Sequence, residues 1–477
     1  MSELGAWCLI PPFITICLAV FSRQVIPSLL IGAVAGFWLL ADFNPAMGLQ
    51  NSVQGLVDVF KSDGAVKTIL FGLMIGGVIH LARVTGGMLG LIDLLSERAR
   101  IARGPVSTQL LAAAIAALIF IESNLSLLTS GAVTGGPAAK YKVSREQLAY
   151  VMQNTGLSVW SSVLINGWGA AMMGIIALQV EQGMISGEPF TILARAVGYN
   201  LFAWASIILV LITVLSGFAF PAMRRANLRA AKGIELREGA VPLVTGKPEE
   251  EPPGVVANAS NLLVPLLAMI VCVPIGLYVT GDGNITKGSG ATAVLWAVLI
   301  GQLVGFVHYV LVKRELSFDS YFRQLLVGYQ TMVPLAVVMT LAFLISNVSG
   351  QLQIGTYLAL HIDSFMPAGL TAAFIFVIAG VMSLSTGTSW GTFSIMIPIG
   401  IQVAATAGAD PYLVIGAAIS GAIWGDTISP ISDTGIVTSI ATRNDHMDHI
   451  STQLPYCLVA SALALCGFVL IGLAQSW

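Results

Sequence analysis

The stretch GDTISPISDTG (425–435) sets Asp426 and Asp433 among Thr427, Ser429 and Ser432, inside a run otherwise apolar enough for hydrocarbon. Carboxylates and hydroxyls are hard oxygen donors, the ligands that small hard cations take. Pro430 removes one backbone donor and frees a carbonyl one turn earlier, adding further oxygens. An intramembrane aspartate costs about 2.5–3.5 kcal/mol on insertion scales. No lysine or arginine lies in the adjoining apolar sequence to offset that cost. A proton or a sodium ion is the simplest counter-ion, so Asp426 and Asp433 are candidate cation ligands. The plainer alternative is that both aspartates cap half-helices.

A second cluster, IESNLSLLTSG (121–131), follows the same logic. Glu122 stands with Ser123, Asn124, Ser126 and Thr129, again with no basic partner in its segment. Weaker candidates surround these two. His80, one turn before Arg83, could shuttle protons because imidazole titrates near neutrality. Trp160, Trp168, Trp390 and Trp424 could stack on a solute or cation, although packing is the commoner use of tryptophan. The HMDH run (446–449) has helical metal-pair spacing but no third ligand in sight, and topology places it in the cytoplasm. Gly387, Ser389 and Gly391 fit the G-x-S-x-G pattern of a nucleophile elbow, which requires a strand before the serine and a histidine base.

The elements that position these residues follow from composition. Of 477 residues, 56% are hydrophobic and 10% charged, against about 25% charged in soluble domains. Apolar runs near 20 residues, the length of a bilayer crossing, recur along the chain. The expectation is an all-α polytopic protein of the plasma (inner) membrane. A net charge of −2 gives no reason to expect nucleic acid. Glu3 and the lack of a basic leader make 4–22 a retained first span. Cys8, Cys17, Cys272, Cys457 and Cys466 all lie in apolar stretches without CxxC spacing.

A polar stretch at 221–259 reads as a cytoplasmic linker between two halves, 1–220 and 260–477. Spans are expected near 4–22, 24–41 and 64–84, and again near 260–279, 290–312 and 324–348. Each half then holds a re-entrant hairpin, 104–145 and 365–410. The first is flanked by basic residues at both ends, the second by none. The second has its tip at SLSTGTSWGT (383–392). A helix interrupted by polar residues follows each hairpin, 146–183 and 411–442, and a final span closes each half, 191–219 and 451–474. About ten full spans result, and an odd number in each half inverts the second relative to the first. All lysines and arginines except Lys61, Lys67, Lys287 and Arg195 then face the cytoplasm. Inverted repeats with broken helices mark secondary transporters.

The runs STGTSWGTFSIMIPI (385–399), GDTISPISDTGIVTSIATRNDHMDHISTQLPY (425–456) and KVSREQLAYVMQNT (142–155) resemble the NhaC-type sodium/proton antiporter family of the ion transporter superfamily. The resemblance implies a scaffold and a transport domain, association as a homodimer, and an ion and solute held between hairpin tips and broken helices. It adds Thr386, Thr388 and Ser389 at the second tip, and points again to Asp426, Ser429, Ser432 and Asp433. The chain departs from the family pattern with Glu122-Ser123 in place of adjacent aspartates, Gln153 in place of an acid, and Gly435 in place of a threonine. The expectation is a secondary-active transporter using alternating access around a midplane cation site. Sodium/proton antiport is the first reading, and sodium-coupled carriage of an amino acid or organic acid the second. A channel and an intramembrane hydrolase are remote readings. The expected partners are a small cation, an organic solute and membrane lipid, with no cofactor beyond the coupling ion.

Overall fold

The structure is a computed structural model and describes residues 5–22, 24–98, 102–120, 123–164, 166–242, 256–285, 288–352 and 367–475. Glu122, at the first hairpin tip, lies outside the described residues. Among the described residues the elements are helical, and seven helices are long and apolar enough to cross a bilayer. Two bent pairs would join them if each counts as one span. The protein is a multi-pass membrane protein.

The polar interruptions in the sequence become the ends of helices. The first hairpin has arms Pro105–Leu118 and Ser123–Lys140. Ser144 caps the next helix, Arg145–Trp160, by accepting from the Gln147 N–H. Asn166 caps Gly167–Glu181 by accepting from Gly169. The second hairpin has arms Thr371–Thr386 and Ser389–Ala407, and Gly387 turns between them at φ 66°. A Cβ there would lie 2.6 Å from the Ile431 carbonyl, so the tip presses on the neighbouring break. Pro411–Ile428 and Asp433–Thr442 meet at that break with a bend of 46°.

The two halves repeat one another in order and in packing. Within each half, the hairpin lies on the first segment of the broken helix that follows it. Across the halves, each outbound arm packs on the second segment of the opposite broken helix. Ser123–Lys140 meets Asp433–Thr442, and Ser389–Ala407 meets Gly167–Glu181. At the first of these contacts a Cβ on Gly131 would fall 2.5 Å from the Ala441 carbonyl. Pro411–Ile428 is buried almost along its whole length, as an all-round apolar helix must be.

Outside this bundle, Asp63–Val84 crosses Phe318–Thr331 closely. A Cβ on Gly76 would lie 2.3 Å from the Gly328 carbonyl, and one on Gly328 would lie 2.4 Å from that of Gly76. Small residues allow such backbone approach where lipid supplies no hydrophobic drive between helices.

The structure differs from the sequence expectation in several details. An additional helix, Pro45–Val59, starts at the Asn44 cap. The stretch 324–348 is shared between two helices, Phe318–Thr331 and Val333–Gln351. The stretch 191–219 belongs to a pair, Pro189–Gly198 and Leu201–Ser216, bent by 45°. Asn200 sits at that bend and donates to Ser161 and Ser162 while accepting from Ser420. A fully buried asparagine thus ties three helices where regular helix would leave it unpaired.

Candidate functional site

Asp426 lies one turn from the end of Pro411–Ile428 and is only 1% exposed. Its Oδ2 accepts from the Ser389 hydroxyl at 2.7 Å and from the Ser389 N–H at 3.4 Å. Its Oδ1 accepts from the Ser432 hydroxyl at 2.6 Å, with the Thr434 hydroxyl at 3.4 Å. The second tip and both edges of the break therefore converge on one carboxylate. Among the described residues no lysine, arginine or histidine pairs with it. Chemically this is a dry carboxylate among hydroxyls that can turn their oxygens towards a cation.

The other expected residues divide by what they touch. Asp433 opens the helix Asp433–Thr442, is exposed, and accepts from the Thr434 N–H. Ser432 also caps that helix by accepting from Gly435, so it serves both cap and carboxylate. Ser429 donates to the Leu384 carbonyl, tying the break to the second hairpin. Thr427 and Thr386 turn their hydroxyls back onto carbonyls of their own helices, Ile423 and Met382, while Thr388 stands at the cap of Ser389–Ala407. In the first half, Ser126 donates across the hairpin to Ala116. Thr129 is fully buried with no hydrogen-bond partner among the described residues. Ser123 and Asn124 are half-buried at the start of the outbound arm.

The Asp426 carbonyl, one turn before Pro430, accepts from the Ser429 N–H, and two other carbonyls at the break are taken by side chains. Gln453 donates to the Thr427 carbonyl at 2.7 Å, and His446 Nε2 lies 2.8 Å from that of Pro430. Gln453 also donates to Gln153, which donates to Thr434 beside the carboxylate. Asn154 donates to Gln453 and accepts from Ser206. His449, placed in the cytoplasm by the sequence reading, is instead fully buried against Gln153 at 2.6 Å. The signal for this cluster was present: 446, 449 and 453 recur at helical spacing on one face of an otherwise apolar helix.

The aromatic candidates pack. Trp168 lies between Trp160, Trp390 and Phe393, with ring centroids 5.5–6.4 Å apart. Trp160 donates to the Ala116 carbonyl, and Trp424 stacks on Phe376. His80 bonds Gln324 between Asp63–Val84 and Phe318–Thr331, away from the break. Ser389 sits in a helix–turn–helix rather than after a strand, and its hydroxyl is given to a carboxylate. Among the described residues no three His, Cys, Asp or Glu side chains form a metal cluster.

The chain is 28% identical over 490 residues to an uncharacterized protein of Haemophilus influenzae, covering 99% of this chain and 92% of that one. It is 33% identical over 96 residues to the malate-2H+/Na+-lactate antiporter of Bacillus subtilis, 20% of each chain. Its fold is similar to that of Neisseria gonorrhoeae MtrF, described with a class of antimetabolite efflux pumps. The TM-score is 0.59 at 15% identity, over 98% of this chain and 96% of that one. Residues 162–473 match the Na+/H+ antiporter family. The chain is a secondary-active transporter and belongs to the Na+/H+ antiporter family.

Proposed function

We propose that Asp426 is the coupling-ion site, where a sodium ion and protons alternate. The observation that supports this reading is a buried carboxylate held by hydroxyls of the second tip and the second break, with no basic residue beside it among the described residues. Ser389 and Ser432 rotate their hydroxyl protons away when a cation arrives, and the carboxylate neutralises it. With a proton bound instead, the site is neutral and the hydroxyls return to the carboxyl oxygens. The site thereby changes the side it faces in either loaded form and resists doing so with a bare charge. Two inverted halves, 1–220 and 260–477 joined by a linker at 221–259, bring the site towards the midplane and support alternating access. Glu122 at the first tip is the second candidate ligand in this reading, and Asp433 marks the exposed rim. The functional unit is a homodimer in lipid.

A second reading, sodium-coupled carriage of an organic acid or amino acid, is favoured by the organic acids in the name of the Bacillus subtilis relative. Sodium-binding calorimetry on purified protein at several pH values, repeated with organic acids and amino acids, separates the two. Exchange requires sodium affinity to fall as pH drops, whatever the solute. Coupled uptake requires each ligand to tighten the other equally. Sodium affinity that is flat across pH and raised by a solute refutes the exchanger.

A further inference from the structure

The hydrogen bonds around Gln153 fix which ring nitrogen of a buried histidine carries a hydrogen. The Thr427 backbone carbonyl only accepts, so the Gln453 amide nitrogen faces it. That nitrogen also donates to Gln153 Oε1 at 3.0 Å, which fixes the Gln153 oxygen towards Gln453 and its nitrogen towards Thr434. The Tyr150 carbonyl orients Asn154 in the same way, leaving the Gln453 oxygen to accept from Asn154. His449 Nε2, 2.6 Å from Gln153 Oε1, must therefore carry a hydrogen. The neutral ring keeps its lone pair on Nδ1, which is buried and has no partner among the described residues.

We propose that His449 is a proton-responsive positioning residue for the Asp426 site: Nδ1 takes a proton when the site is open to water, and sodium at Asp426 and a proton on His449 exclude one another. The link runs His449, Gln153, Thr434, Asp426, so each end senses the other through two side chains. This rests on the proposal that Asp426 binds the cation. It also gives the exchange a second proton acceptor.

The surrounding titratable groups leave His449 this role. On Arg145–Trp160, Arg145 pairs with Glu235 and Glu146 with Arg229, while Tyr150 stacks on Tyr456. Arg224 and Arg225 lie with Arg229 on Pro221–Ala231. Along the histidine's own helix, Asp448 pairs with Arg237 and Cys457 lies against Asn154. Just ahead of that helix Asp445 accepts from the Val241 N–H, and His446 is bonded to Ser439 and to the Pro430 carbonyl. Asp433 lies on the neighbouring half-helix with Arg443 at its C-terminal cap, and Asp426 is the acid at the end of the chain of bonds.

The test is sodium-binding calorimetry on the full chain at pH 8, 7 and 6, with His449→Gln. A glutamine nitrogen can still donate to Gln153 but cannot take up a proton. The expected result is a loss of sodium affinity from pH 8 to pH 6 smaller than that of the unmodified chain by on the order of tenfold, the effect of one unit charge nearby in a protein interior. Superimposable pH profiles, or sodium binding lost equally at every pH, overturn the proposal. If His449→Gln does not fold, 15N-histidine spectra of the unmodified chain at pH 6 decide it. Sodium must convert His449 from its doubly protonated form to the Nε2–H form, and a ring indifferent to sodium overturns the proposal. Asp426→Asn run alongside keeps the two questions apart, since sodium binding that survives there refutes the cation site itself.

Discussion

The two broken helices solve one problem with opposite chemistry. An interrupted helix in a membrane must satisfy its loose backbone groups within the protein. At the first break, Asn166 does this with a neutral amide, accepting from Gly169 and donating to the Phe120 and Trp160 carbonyls. At the second, Gln453 and His446 cover the loose carbonyls, so Asp426 is not needed for that task. Its carboxylate is instead held by Ser389 and Ser432. A neutral cap suffices to close a break, so a buried charge beside another break calls for a different explanation. Binding supplies one.

The sharpest way to break this comparison is Asp426→Asn. Removing the charge should weaken sodium binding on the order of 100-fold, the worth of a charge-assisted contact of about 1.5–3 kcal/mol. Thermal stability should hold or rise, because a costly buried charge has gone. Sodium affinity and coupled transport in proteoliposomes are the readouts, and unchanged transport would return Asp426 to a purely structural role. Asn166→Ala should do the reverse. Three hydrogen bonds are lost and buried carbonyls are left unpaired, so unfolding should become easier by about 2 kcal/mol. Calorimetric sodium affinity should stay within about twofold. An equal loss of sodium binding there would mean that both breaks are parts of one ion site.

Ser432→Ala tests the residue that belongs to both descriptions. It should cost about tenfold in sodium affinity through the lost contact to Asp426. It should also cost about 1 kcal/mol of stability through the lost N-cap. Ser389→Ala should show the first effect without the second, since it caps nothing with its side chain. If the two variants cannot be told apart by thermal unfolding, the cap on Asp433–Thr442 contributes nothing measurable.

Much of this arrangement was legible in the sequence because polar residues in a long apolar run announce their own placement. Asp426 and Ser432 stood out for that reason, and so did the interruptions at the two breaks, whereas Ser389 came from the family resemblance. The partners across the fold were less legible. Gln153 stood out only as a departure from the family pattern, and Gln453 is read as an ordinary polar residue until the break brings the Thr427 carbonyl beside it. His449 was placed in the cytoplasm by the span order. Asp448 and Asp445, its charged neighbours, are in fact held by the linker through Arg237 and the Val241 N–H, while the ring turns inward. The bend at Asn200 escaped for a related reason. One asparagine in an apolar run gives no hint that two serines and a third helix await it.

Thr386→Val carries the smallest expected effect and examines the reading of hydroxyls directly. Thr386 and Ser389 sit on either side of the same turn, both are buried, and the family resemblance marks both as site residues. Their oxygens differ in what they touch. Ser389 reaches Asp426 at 2.7 Å, whereas Thr386 bonds the Met382 carbonyl of its own helix at 3.0 Å. Such a back-bond competes with the helix's own hydrogen bonding and adds little. Valine keeps the β-branched shape, so stability should change by no more than about 0.5 kcal/mol and sodium affinity by less than twofold. A tenfold fall in sodium affinity would show that the Thr386 hydroxyl leaves its helix when the ion binds. The ligand set would then have to be drawn from a form of the tip that differs from this one.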